Sequence, residues 1–147
     1  MRRKMRAAAA GGLMLGLLAG PAAAVDYARQ NYLLHCAGCH LPDGSGSAAN
    51  DVPSLHGIPG HFARIPEGRA FLTQVPGIAY SSLSDAEVAE ILNWMLYEYS
   101  RNTLPADFTP FTEAEVKRLR AERPAEIFKV RDSVLARLRK LGVQVDY

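Results

Sequence analysis

Two cysteines and a histidine stand together in the segment Cys36-Ala37-Gly38-Cys39-His40, which is the part of this chain best suited to covalent chemistry. Two thiols three positions apart on a helical turn can each form a thioether with one of the two vinyl groups of a haem. The histidine that follows can supply a ring nitrogen to the iron. Because the chain has no other cysteine, the motif predicts one covalently attached haem c, with Cys36 and Cys39 as attachment residues and His40 as proximal iron ligand.

Three other uses of these cysteines fit the rest of the sequence less well. A thioredoxin-like redox pair has the same spacing but lies on a βαβ fold, and no segment here alternates apolar and polar residues for long enough to predict a strand. A zinc site would crowd His35, Cys36, Cys39 and His40 too closely for a relaxed tetrahedron. A disulfide across two intervening residues is strained and leaves His40 unexplained.

The first 24 residues have the pattern of an export signal. An uncharged apolar run begins at Ala7 and closes with Pro21 and Ala22-Ala23-Ala24, and four basic residues precede it: Arg2, Arg3, Lys4 and Arg6. This order is typical of a secretory signal peptide, so we expect cleavage after Ala24 and a periplasmic protein. An uncleaved segment would instead anchor the chain in a membrane, although the run is poor in Ile, Val and Phe.

Removal of this segment would reverse the sign of the net charge. The whole chain carries 17 basic and 15 acidic residues, for a net charge of +2, and loss of four basic residues would make it −2. The remaining basic residues cluster only late in the chain, where glutamates are interleaved with them. We therefore expect no nucleic-acid partner.

Apolar spacing and capping residues predict an all-α fold around the motif. A capping box, Ser84-x-x-Glu87, opens the clearest helix, and Pro76-Gly77 is expected to end the helix before it. The helices predicted in this part of the chain span 26–34, 66–74 and 84–100.

The last third of the chain predicts two further helices after a linker at 102–110. A second capping box, Thr112-x-x-Glu115, opens the first of them. The second is predicted over 124–141 from an apolar stripe made of Ile127, Val130, Val134, Leu138 and Leu141. We divide the exported chain into a haem domain, 25–101, and a helical extension, 102–147. The extension is either a hairpin packed on the haem domain or a docking surface for a partner.

The order of these segments resembles that of monohaem class I cytochromes c over about residues 27–99. A helix enters the haem motif, a polar loop and a short helix follow, and a helix with an aromatic cluster comes last; the matching segments are Leu41-Pro42-Asp43-Gly44-Ser45-Gly46, Val52-Pro53-Ser54-Leu55, Gly68-Arg69-Ala70-Phe71-Leu72 and Leu83-Ser84-Asp85-Ala86-Glu87. In that family the first and last helices cross, which would bring Tyr27 and Tyr32 near the face formed by 88–99. The resemblance implies electron exchange at the haem edge near the two cysteines.

One segment departs from that family. The usual sixth iron ligand is a methionine in a loop before the last helix, but the corresponding stretch, 75–82, contains none. Met95 is the only methionine beyond the predicted signal segment. Three alternatives follow: a distal histidine, with His61 favoured over His56; ligation by Met95; or an open or water-bound position. His35 precedes Cys36 on the same helix, and we expect it to face away from the haem.

These patterns predict a periplasmic electron carrier that is not itself an enzyme. It would take single electrons from a dehydrogenase or quinol-linked donor and pass them to a downstream oxidase or another cytochrome. Two alternatives are a small-ligand sensor with an open distal site and a haem subunit of a larger dehydrogenase complex. Membrane contact is expected only if the N-terminal segment is uncleaved.

Overall fold

The computed structural model describes residues 22–145, and within that range the chain forms helices and no strand, which confirms the all-α prediction. The helices are α1 (Ala22–His35), α2 (Ala37–His40), α3 (Ile58–Phe62), α4 (Pro66–Gln74), α5 (Pro76–Ala79), α6 (Asp85–Tyr99), α7 (Glu113–Ala121) and α8 (Ile127–Lys140). Most of the predicted signal peptide, residues 1–21, lies outside the described residues, so its cleavage stays a prediction.

Helices α1 and α6 pack against each other, as the resemblance to class I cytochromes c implies. The Tyr32 side chain is fully buried between them, with its ring centroid 5.1 Å from that of Trp94 and 5.6 Å from that of Tyr99. Near the start of α6, the Tyr27 hydroxyl donates to Glu87 Oε1 over 2.7 Å. The crossing therefore fixes the end of α1, from which the haem motif continues.

The predicted capping box at Ser84 is present and opens α6. The Ser84 hydroxyl accepts a hydrogen bond from the Glu87 amide, and the Glu87 carboxylate accepts one from the Ser84 amide over 2.8 Å. The buried face of α6 includes Val88, Ile91, Leu92 and Met95, which recur at helical spacing.

The carboxylate of Glu87 carries a testable pH dependence. Hydrogen bonds from the Tyr27 hydroxyl and from Ser84 lower the pKa of Glu87 from 4.5 to about 2. Because the folded-state pKa is depressed, the stabilisation is present above pH 4.5 and is lost as the pH falls toward 2. We expect Glu87→Gln to lower the urea midpoint at pH 7 and the difference from wild type to shrink steadily below pH 4.5. The control is Glu90→Gln, at an exposed position on the same helix. If both variants lost stability with the same pH profile, the pH-dependent stabilisation would not come from the Glu87 carboxylate.

α4 has the predicted bounds and ends just before Pro76-Gly77, as predicted. Val75 leaves the helical conformation, and Pro76 then opens a further short helix, α5, which was not predicted. Proline suits this position because the first turn of a helix needs no amide donor there. The polar segment 41–60 contains a 3-10 turn at Ala48–Asn50 and the start of α3.

Helices α7 and α8 pack on the haem domain and share its hydrophobic core. Phe111, Val116, Val134 and Leu138 are buried in the same cluster as Phe62 and the α6 residues. The predicted stripe of α8 is partly wrong, because Leu141 is 53% exposed and Leu135 is buried instead. The helix also begins at Ile127, three residues after the predicted start. The division into 25–101 and 102–147 stays a prediction.

Candidate functional site

The haem motif occupies a tight turn between α1 and the loop that follows α2. The Cys36 amide donates to the Tyr32 carbonyl over 2.8 Å, and the His40 amide donates to the Cys36 carbonyl over 2.9 Å. These two bonds continue the helical path through the motif, so Cys36, Cys39 and His40 all line the same cavity. Spacing along a helical turn therefore brings both thiols and the imidazole to one site.

The cavity has a volume of about 410 Å³ and is mainly apolar. Besides the motif, its described lining comes from the end of α1, from the loop at 51–55, from α3, α4, α5 and α6, and from the first turns of α8. Pockets for small molecules and cofactors have volumes of about 300–1,000 Å³ and mostly apolar walls. The cavity is thus of the size and polarity that a flat, mostly apolar cofactor requires.

His40 is held in place by the loop that follows the motif. Its Nδ1 lies 3.1 Å from the Pro53 carbonyl oxygen, and its own carbonyl accepts from the Gly46 amide over 3.0 Å. Because a carbonyl only accepts hydrogen bonds, Nδ1 must carry the proton, which leaves the lone pair on Nε2. Burial lowers the pKa of His40, so the ring is kept in the neutral form that binds metals.

The two cysteines are free thiols with different surroundings. Cys36 is half-buried, and burial, with a smaller contribution from Cys39, raises the pKa of its thiol to about 11. Cys39 is exposed at the surface while it also lines the cavity. Cys39 is therefore one of the points where the cavity reaches solvent.

The structure separates the candidates for the sixth ligand. Met95 lines the cavity and is only 7% exposed. His61 lies on α3 and is not among the described residues that line the cavity; its buried Nδ1 has no hydrogen-bond partner among them. The His56 ring packs on Tyr99 at a centroid distance of 5.3 Å and does not line the cavity either. His35 is exposed but contributes to the cavity lining, contrary to the expectation that it faces away.

Three cavity residues from α8 were not predicted to belong to the site. Ile127, Phe128 and Arg131 all line the cavity, and Arg131 is the one lysine or arginine in its described lining. The one sequence feature that could have indicated them is their helical spacing, because Ile127, Phe128 and Arg131 lie on adjoining faces of one helix. Nothing in the local sequence connects that face to a motif so distant along the chain.

The segment that lacks the family's methionine is fixed by Arg120 of α7. The guanidinium donates to the carbonyls of Ile78, Ser81 and Leu83 over 3.1–3.3 Å and to Asp85 Oδ1 over 2.8 Å. Its side chain is only 16% exposed. The extension therefore holds residues 78–85 in place, and Val75 and Ile78 form part of the cavity wall.

Two known proteins match this chain over most of its length. Both are named cytochrome c-552, and both come from Thermus thermophilus. The first is 30% identical over 153 aligned positions, which cover 90% of this chain and 97% of that protein. The second is 31% identical over 130 positions, which cover 74% and 92%. This chain belongs to the family of c-type cytochromes. No family model matches it.

The protein therefore carries covalently attached haem c with its iron and functions as an electron carrier. The described residues fit that cofactor. Two thiols and a neutral imidazole with its Nε2 lone pair available line one apolar cavity that is open at Cys39. None of the helices within residues 22–145 is long and apolar enough to cross a membrane.

Proposed function

We propose that this cytochrome c is exported to the periplasm and carries single electrons from a dehydrogenase or quinol-linked donor to a downstream oxidase or another cytochrome. The observation that carries the proposal is the convergence of Cys36, Cys39 and His40 on one apolar cavity. We assign the two thiols to the haem thioethers and His40 to the proximal iron ligand. The bound haem supplies a one-electron redox centre.

The protein's own part in electron transfer is to bind, orient and desolvate the haem. Pro53 fixes the ring plane and the tautomer of His40 through its carbonyl oxygen. The apolar lining from α3 and α6 excludes water, which limits the structural rearrangement that accompanies a change of charge. A rigid, dry site of this kind suits repeated one-electron exchange.

Arg131 is the described residue best placed to pair with a haem propionate. It is the one basic side chain among the described residues that line the cavity, apart from the histidines. Arg64, Arg69 and Arg101 do not line the cavity; Arg69 pairs with Glu115, and Arg101 donates to the Tyr97 carbonyl. Arg131 itself pairs with its exposed neighbour Asp132 over 3.2 Å. A guanidinium at a half-buried edge can offset the cost of desolvating a carboxylate.

Electron exchange would take place where the cavity meets solvent near Cys39. Leu34, 77% exposed, and Leu41 flank this point in the chain and present apolar side chains to solvent. Redox complexes are small and transient, and an apolar contact around the cofactor edge suits them. This surface, Leu34, Cys39 and Leu41, is named the exchange surface below.

A charge introduced at the exchange surface tests the function. Quinol-reduced membranes of the source organism should reduce the wild-type holoprotein. With Leu34→Glu we expect the second-order rate to fall by about tenfold, because an apolar contact of about 1.4 kcal/mol is lost. Leu141→Glu, which changes an exposed leucine at the end of α8, should leave the rate unchanged. Equal rates for the three proteins, or recovery of the protein outside the periplasmic fraction, would contradict the proposal.

A further inference from the structure

The cavity wall built by α4, α5 and α8 is the part of the site that the carrier function leaves unexplained. Its side chains are Phe71, Leu72, Val75, Ile78, Ile127 and Phe128, and none of them carries an iron-binding atom. The stretch 75–82 stands where related class I cytochromes place a methionine, and here it contributes aliphatic carbon to the wall.

This wall is held by contacts that leave little freedom for rearrangement. Arg120 bonds three carbonyls between Ile78 and Leu83, and the Arg123 guanidinium lies 4.3 Å from the Tyr80 ring centroid. Because both arginines belong to the extension, α5 and the following turn are fixed from outside. A distant side chain cannot enter the cavity through this segment without breaking those bonds.

Beyond the motif, the described lining contains two side chains with the nitrogen or sulfur atoms that usually complete the ligand set of a c-type haem, His35 and Met95. His35 is exposed and adjoins Cys36, whose thioether would hold it close to the edge of the haem. Met95 is buried on α6 within the hydrophobic cluster that includes Ile91 and Leu92, and α6 packs against α1. The side chain of Met95 therefore serves core packing, the usual role of a buried methionine on an apolar helix face.

We propose that the haem iron keeps a sixth position open to a small neutral ligand, a diatomic gas, which the apolar wall of α4, α5 and α8 accommodates. The proposal rests on the assignment of Cys36, Cys39 and His40 to the haem. The apolar side chains of this wall favour a neutral molecule over an anion because an unpaired buried charge is costly, and Arg131, the one lysine or arginine in the described lining, pairs with Asp132 over 3.2 Å. The protein would then couple its redox state to ligand binding, since carbon monoxide binds ferrous haem.

Carbon monoxide is the probe that tests this site. A haem stain and a pyridine haemochrome spectrum of the purified full chain first establish that haem is covalently bound, and failure at this step would overturn the proposed function itself. With haem present, we expect a high-spin component in the ferric spectrum and stoichiometric carbon monoxide binding by the ferrous protein. A low-spin ferric protein with a methionine-to-iron charge-transfer band that disappears in Met95→Leu would overturn the open site and leave the haem assignment intact.

A second variant locates the ligand. Ile78→Phe adds bulk to the wall of α4, α5 and α8 and should slow carbon monoxide association by about tenfold. Leu141→Phe adds the same ring at an exposed helix end and should leave the rate unchanged. Equal rates in Ile78→Phe and wild type would overturn the placement of the ligand. Unchanged haemochrome and circular dichroism spectra show that Ile78→Phe has folded with its haem.

Discussion

Replacing Cys36 and Cys39 together by alanine is expected to abolish covalent haem attachment completely. Both thiols line the cavity with His40, and each would form one of two thioethers. Without them, about 410 Å³ of mainly apolar cavity would depend on non-covalent contacts alone to retain the cofactor. The measurement is haem staining of the denatured protein, followed by extraction of haem into acidified organic solvent. All haem from the double variant should be extractable, and none from wild type.

The single variants separate the two bonds. Cys36→Ala and Cys39→Ala should each retain one thioether and show a haemochrome band at longer wavelength, because one vinyl group stays conjugated with the ring. Gly38→Ala is the matched control, since a methyl group at this position meets no atom within 4 Å. Retained covalent haem in the double variant would refute the attachment assignment.

The haem motif could be predicted from sequence because its geometry is local. Five consecutive residues on one helical turn bring two thiols and an imidazole together whatever the rest of the chain does. The capping box at Ser84 is local in the same way, and it is present as predicted. The features predicted most reliably were thus those that depend only on residues within four positions of one another.

The walls of the cavity could not be predicted, because they depend on contacts between distant segments. Phe128 and Arg131 reach the cavity only after α7 and α8 have packed on the haem domain.

The second predicted capping box, Thr112-x-x-Glu115, also depends on a contact with a distant segment. The Thr112 hydroxyl accepts from the Glu115 amide as predicted, but the Glu115 carboxylate pairs with Arg69. A charged tertiary partner thus outweighs the local backbone bond.

That pair, Arg69 and Glu115, connects the extension to the haem domain, and its loss is expected to destabilise the protein by about 2–3 kcal/mol. Arg69 Nε and Nη2 donate to the two carboxylate oxygens over 2.8 and 2.7 Å, and Nη1 donates to the Thr109 carbonyl over 3.0 Å. The guanidinium carbon also lies 4.0 Å from the Phe111 ring centroid. Both charged side chains are mostly shielded, at 18% and 23% exposure, so solvent screens the pair only weakly.

Arg69→Met should therefore lower the free energy of unfolding of the holoprotein by that amount in a urea titration. Arg69→Lys should recover only part of it, because an ammonium cannot form the bidentate bond or stack on Phe111 in the same way. The matched control is Arg118→Met on α7, where the pair with Glu122 spans 3.6 Å and both side chains are 60% exposed. That pair is worth about 0.5 kcal/mol or less. If Arg69→Met and Arg118→Met lowered the free energy of unfolding equally, the Arg69–Glu115 pair would not hold the extension in place. Burial of apolar residues such as Phe111 and Leu138 would then account for its attachment to the haem domain.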